Sequence, residues 1–143
     1  MPEQDSAIPD LTRLARRKRE RPAGPPDAET IHRRAVLAAQ TAVDFKGEDV
    51  RVLDMRELVA YTDYLVICTG RNVRLTKRIA EEVGLRLKKD EGIVPSGVEG
   101  LTQGEWILLD FMDFVVHIFT PAARDFYRLD VLWKEAPFET VEP

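Results

Sequence analysis

Two carboxylates, Asp110 and Asp113, stand either side of Phe111 and Met112 in a short connection between two apolar runs, 106–109 and 114–119. Apolar runs around a short polar connection predict a β-hairpin, here without a turn glycine. Paired carboxylates can do acid–base work or hold a divalent cation. A metal site calls for further convergent polar ligands, and the neighbours Phe111, Met112 and Phe114 supply none. No metal and no catalytic role is therefore expected at this pair. The same residues also suit recognition: the rings supply apolar area and the carboxylates select a basic partner. Strand alternation sends Trp106, Leu108 and Asp110 to one face and Ile107, Leu109 and Phe111 to the other. On pattern alone Trp106 reads equally as a core residue and as an interface anchor.

A second set of residues is cationic. Thr69-Gly70 leads into a helix that carries Arg71, Arg74, Lys77 and Arg78. Strand, glycine and helix can hold a phosphate, so these residues are candidates for an anion or RNA contact. With one glycine the stretch is neither a P-loop nor a dinucleotide fingerprint. The alternative is a tight turn followed by a solvated basic face. The single cysteine, Cys68, lies in an apolar run and reads as a small buried hydrophobe. His32 and His117 have no metal-ligand spacing, and His117 reads as a hydrogen-bonded strand residue.

The elements that position these groups follow from periodicity. Apolar residues at helical spacing predict a helix from Asp27 or Thr30 to about Phe45. Alternation predicts a short strand over 49–54, and the continuous apolar run 64–69 predicts a central strand buried on both faces. A second helix follows from Asn72 to about Lys89. A short edge strand falls within 93–98, and then comes the hairpin. Thr120-Pro121 opens a short helix to Tyr127, and residues 129–133 add a turn that packs Leu132 and Trp133 onto the sheet. The expected fold class is α/β, a mixed β-sheet of about four or five strands flanked by helices.

The chain has 143 residues, 44% hydrophobic and 32% charged, as in a soluble single domain. No apolar run is long enough to span a membrane, and no secretory leader is visible, so a cytoplasmic setting is expected. Residues 1–27 carry 6 basic and 5 acidic side chains, net +1; residues 28–143 carry 15 and 20, net −5. Residues 1–27 thus read as a basic, Pro-rich flexible tail, 28–134 as the domain and 135–143 as a frayed C-terminal tail. The 16–21 cluster reads as a solvated arm or as a contact to RNA or another anionic surface. The acidic domain disfavours binding nucleic acid by bulk charge and favours a basic protein partner.

Several stretches together carry a resemblance. They are Val52-Leu53-Asp54-Met55-Arg56-Glu57-Leu58, Thr62-Asp63-Tyr64-Leu65-Val66-Ile67-Cys68-Thr69-Gly70, Gly97-Val98-Glu99-Gly100, the hairpin 106–119, Arg124-Asp125-Phe126-Tyr127-Arg128-Leu129, and Leu132-Trp133. In this order and spacing, over roughly residues 30–134, the chain resembles the ribosomal silencing factor family, also called Iojap or RsfS. The resemblance implies a nucleotidyltransferase-like topology without the catalytic site. Consistent with that, no acid follows Thr69-Gly70 until Glu81. It implies binding to the basic protein numbered fourteen of the large ribosomal subunit, which blocks joining of the small subunit and lowers translation when nutrients are scarce. A role in large-subunit maturation is also implied. Carried over residue by residue, the partner-binding positions are Trp106, Asp110, Phe111 and Asp113. Met112 stands where the family usually has glycine. The resemblance further suggests a homodimer when free; a nearby rRNA contact is the expectation for the basic residues above, and no cofactor is expected. The alternatives are a nucleotidyltransferase-like enzyme using Asp110 and Asp113, and an RNA-binding assembly factor using Arg71, Arg74, Lys77 and Arg78.

Overall fold

The structure, a computed structural model, describes residues 8–19 and 26–143. The run Tyr64–Thr69 forms strand β2, buried at every residue, and it lies inside a six-stranded sheet. With β1 as Glu48–Asp54, β3 as Gly97–Glu99, β4 as Trp106–Asp110, β5 as Phe114–Phe119 and β6 as Phe138–Val141, the order is β3-β4-β5-β2-β1-β6. Only β2 and β5 pair in parallel, with Tyr64 opposite Phe114. The remaining pairs are antiparallel. The expected mixed sheet flanked by helices is therefore present, with one strand more than the upper expectation.

Two apolar layers sandwich this sheet. On one face lie α2, Ala28–Asp44, and α3, Val73–Glu91. Asp27 caps α2 by accepting from Thr30 N, and Asn72 caps α3 by accepting from Leu75 N. Ala35, Ala38, Ala39, Ile79 and Val83 meet Val52, Val66, Ile107 and Val116 there. On the other face Leu53, Leu65, Trp106, Leu108 and Phe119 meet shorter elements. These are α1, Leu11–Ala15; α4, Pro121–Tyr127, capped by Thr120; and α5, Leu129–Leu132. Leu129 is the buried residue of α5, whereas Leu132 is exposed, contrary to expectation. Arg128 at φ 50° reverses the chain between the two helices, which turns the first residue of α5 inward.

Both ends of the chain depart from the tail reading. Residues 135–143 contribute β6, which pairs antiparallel with β1 from Val50↔Val141 to Leu53↔Phe138. Without it β1 would be an edge strand with an open row of backbone groups. Of the basic N-terminal region, residues 8–19 include α1, whose Leu14 is 1% exposed within the second apolar layer. Residues 1–7 and 20–25 of that region lie outside the described residues. Among the described residues, no helix is long and apolar enough to cross a membrane.

One loop needs glycine for a steric reason. Gly100 has φ +79°, and a Cβ there would lie 2.0 Å from the Trp106 carbonyl oxygen. That close approach fixes where the chain enters β4.

Candidate partner-binding site

The hairpin β4–β5 closes through the four residues 110–113. Asp110 Oδ1 accepts from Met112 N at 2.9 Å. Asp113 N donates to Phe111 O at 2.8 Å, and Phe111 N donates to Phe114 O at 2.9 Å. Met112 adopts φ 71°, the left-handed region that favours glycine. A side chain there costs about 1 kcal/mol. The Asp110 cap and two donors to the Met112 carbonyl, Thr62 Oγ1 at 3.0 Å and Arg17 Nη2 at 3.3 Å, hold the turn against that cost.

Parallel pairing of β2 with β5 brings a third carboxylate to the turn. It places the start of β2 beside the start of β5, and Asp63 N donates to Asp113 O at 3.0 Å. Asp63, Asp110 and Asp113 thus gather at one end of the sheet. The first two are 1% exposed. Asp63 falls within one of the matching stretches, where its residue type alone assigns it no role. The missing signal was topological, since only a β2–β5 neighbour relation joins positions fifty residues apart.

The N-terminal arm lies on these carboxylates. Asp10 caps α1 by accepting from Thr12 N at 3.0 Å. After α1 residues 17–19 run without helix, with Arg17 and Arg19 half-buried while Arg16 and Lys18 stay exposed. Arg17 grips Asp110 with both terminal nitrogens, Nη1 to Oδ2 at 2.6 Å and Nη2 to Oδ1 at 3.2 Å. Its Nε and Nη2 also donate to the Tyr61 carbonyl at 3.2 and 2.8 Å. Arg19 bridges Asp113, at 2.8 Å, and Asp63. Arg13 pairs with Glu99 on β3, whose Oε1 also accepts from Asp10 N at 2.8 Å. Arg17 and Arg19 are therefore bound by the chain's own acidic hairpin, not free in a solvated arm.

The other sequence candidates separate into interior and surface. Strand alternation holds as read: Trp106 and Leu108 enter the second apolar layer, Ile107, Leu109 and Phe111 the first. Trp106, expected at the partner-binding surface, is 3% exposed; it stacks on Phe119 at 5.0 Å and its Nε1 donates to His117 Nδ1 at 3.0 Å. Phe111 is likewise interior, stacked on Phe114 at 4.8 Å beneath the turn. Both are inside because β4 is flanked by strands and covered on each face. His117 is buried, and burial holds its pKa down to about 3, against a smaller opposing pull from Asp110. It is a neutral acceptor for Trp106. Burial pushes the Cys68 thiol up to about 12, which keeps it protonated.

The cationic candidates do come together. Arg71, Arg74, Lys77 and Arg78 line an open groove of about 570 Å³ with Lys46. Two of them have acidic neighbours, Arg71 with Glu48 at 3.6 Å and Arg78 with Glu82 at 2.9 Å. The Thr69-Gly70 turn is closed to a phosphate: a Cβ on Gly70 would already meet Thr76 Cγ2 at 2.9 Å, and Thr69 Oγ1 accepts from Arg124 at 3.0 Å. Asp110 and Asp113 do not share a ligand position, because each carboxylate is turned to a different guanidinium. Among the described residues no three His, Cys, Asp or Glu side chains converge on a point.

Comparisons with known proteins agree with one another. A family model described as "Ribosomal silencing factor during starvation" matches residues 28–143. The ribosomal silencing factor RsfS of Chromobacterium violaceum is 38% identical over 97 residues, covering 68% of this chain and 79% of that protein. That of Bacillus subtilis is 35% identical over 107 residues, 74% of this chain and 89% of that protein. The chloroplastic protein Iojap of Zea mays is 36% identical over 111 residues, 74% of this chain and 48% of that protein. A crystal structure of a Chromobacterium violaceum protein, 36% identical, superimposes with a TM-score of 0.70 over 73% of this chain and 86% of that chain.

Proposed function

The chain belongs to the ribosomal silencing factor family, and on that premise we propose that it binds the large ribosomal subunit through its basic protein fourteen and sterically blocks joining of the small subunit. The consequence is repression of translation in the cytoplasm, with a further role in large-subunit maturation. Binding and bulk suffice for this mechanism; no catalytic step is involved. What favours binding over catalysis is the use each carboxylate is already put to, one guanidinium apiece, with no shared ligand position.

The observation that carries the reading is the chemistry of the turn. Asp63, Asp110 and Asp113 hold two arginines spaced two residues apart. A basic protein segment with that spacing is the ligand such a surface selects. Trp106 and Phe111 hold the turn from the two apolar layers beneath, instead of touching the partner themselves. The groove of Lys46, Arg71, Arg74, Lys77 and Arg78 lies apart from the turn, on α3, and is the candidate for a nearby rRNA contact.

The test is sedimentation of purified full-length protein with separated ribosomal subunits. Asp110→Lys should weaken large-subunit binding by ~2–5 kcal/mol, the range for truncating one partner of a buried charge pair, and Asp113→Lys, at a side chain 27% exposed, by less. Asp110→Asn, which keeps the acceptor for Met112 N, should weaken it in the same direction with the turn intact. Unchanged binding by all three would sink the assignment of this surface.

A further inference from the structure

The surface just assigned to a basic partner is occupied. Three separate contacts put the N-terminal arm on it: Leu14 in the second apolar layer, Arg17 on Asp110, and Arg19 across Asp63 and Asp113. The arm is chemically the opposite of its host, a run of Arg13, Arg16, Arg17, Lys18 and Arg19 on a domain of net −5. It also reaches the site from outside the region that the family model matches, which begins at residue 28.

From this we infer that residues 8–19 are an intramolecular stand-in for the partner: the arm closes the acidic turn in the free protein and must leave before a ligand can dock. The inference rests on the proposed function for what the ligand is, but not for the docking of the arm. It also specifies what displaces the arm. The competing segment presents an apolar side chain three positions before a first arginine and a second arginine two positions after it, as in Leu14-x-x-Arg17-x-Arg19.

The physics makes such an arm displaceable. A helix of five residues has no stability of its own, so α1 depends on what it docks against, Leu14 in the apolar layer and Arg13 on Glu99. The ion pairs exchange protein–protein for protein–water contacts when the arm lifts, and buried pairs contribute little net stability after desolvation. Asp110 keeps the Met112 amide as a donor to its Oδ1 once Arg17 departs. A competitor of the same pattern makes equivalent contacts and gains further ones from its own body. In the free protein the docked fraction acts as a reduction in apparent affinity, which variants that loosen the arm remove.

The test uses the full chain and two independent ways of loosening the arm: Arg17→Ala/Arg19→Ala, which removes the guanidinium groups, and Leu14→Asn, which removes the apolar plug. Affinity for isolated large subunits is measured at fixed salt, and a labelled synthetic peptide of residues 8–19 is titrated onto each form. Both variants should bind large subunits more tightly, about tenfold if the arm is docked nine-tenths of the time. The peptide should bind both variants more tightly than the wild type and compete with the large subunit. Variants that bind large subunits as the wild type does, or more weakly, overturn the inference. Failure of every form to bind large subunits counts instead against the ribosomal reading. The arm is then judged by the peptide alone: binding to the variants sustains the docking, and binding to none refutes it. The direction is diagnostic, since removing the carboxylates weakens subunit binding while removing the arginines that cover them strengthens it.

Discussion

Asp110 serves two masters within one turn. Oδ1 caps the Met112 amide, and the whole carboxylate takes the fork of Arg17. Its position on the Trp106 face of β4 was legible from strand alternation, and so was its pairing with a basic group, which the acidic charge of the domain implies. Which basic group fills it was not legible, because Arg17 lies ninety-three residues away. The conformation of Met112 is not announced by its own type, and the hint lay in its standing where the resembled family usually has glycine, the residue that favours φ 71°. His117 gives a prediction at this scale. Burial lowers its folded-state pKa from the ordinary 6.5 to about 3. Between those values the unfolded chain binds a proton that the folded chain refuses. The contribution is therefore fully present above pH 6.5 and is lost as pH falls toward 3. From pH 7 to pH 5 the wild type should lose about 2 kcal/mol on this account. His117→Gln keeps an acceptor for Trp106 Nε1 and should lose correspondingly less, as urea unfolding at the two pH values will show.

At the scale of elements, what could be read was what has period and length. Helices α2 and α3 announce themselves by apolar stripes and cap residues, and β2 by an unbroken apolar run closed by Gly70. The two elements that were missed are both short and terminal. Strand β6 spans Phe138–Val141, mostly exposed, after a proline, so its residues carry no burial pattern. Its order comes from the β1 ladder and from Val141 against the first apolar layer. Helix α1 has one fully buried residue and lies among prolines and arginines. In both cases tertiary contact, not local propensity, decides the structure. If β6 closes the edge of β1, truncation after Glu135 should cost about 2–4 kcal/mol through lost ladder hydrogen bonds. Asp54 N would lose its 2.7 Å bond to Pro137 O as well. The truncated chain should also associate through the opened edge. Chemical denaturation and light scattering against the full chain check both expectations.

At the scale of the molecule, charge organises the surface. The acidic turn and the basic arm sit at one end of the sheet, on the face covered by the short helices. The cationic groove lies on α3, which packs on the opposite face. The family and the mixed sheet were both legible from motifs spread along residues 30–134, because many weak matches in order constrain a fold more than any one of them. The occupied state of the turn was not legible, since it depends on a segment outside those motifs. The proposed function requires that the acidic turn bring this protein to the large subunit and so keep the small one away. The direct measurement is a sucrose gradient of separated subunits, allowed to join with and without the protein. The expected result is protein co-migrating with the large subunit alone, a reduced joined fraction, and loss of both effects with Asp110→Lys. Protein that stays at the top of the gradient or travels with the small subunit, with joining unchanged, would contradict it.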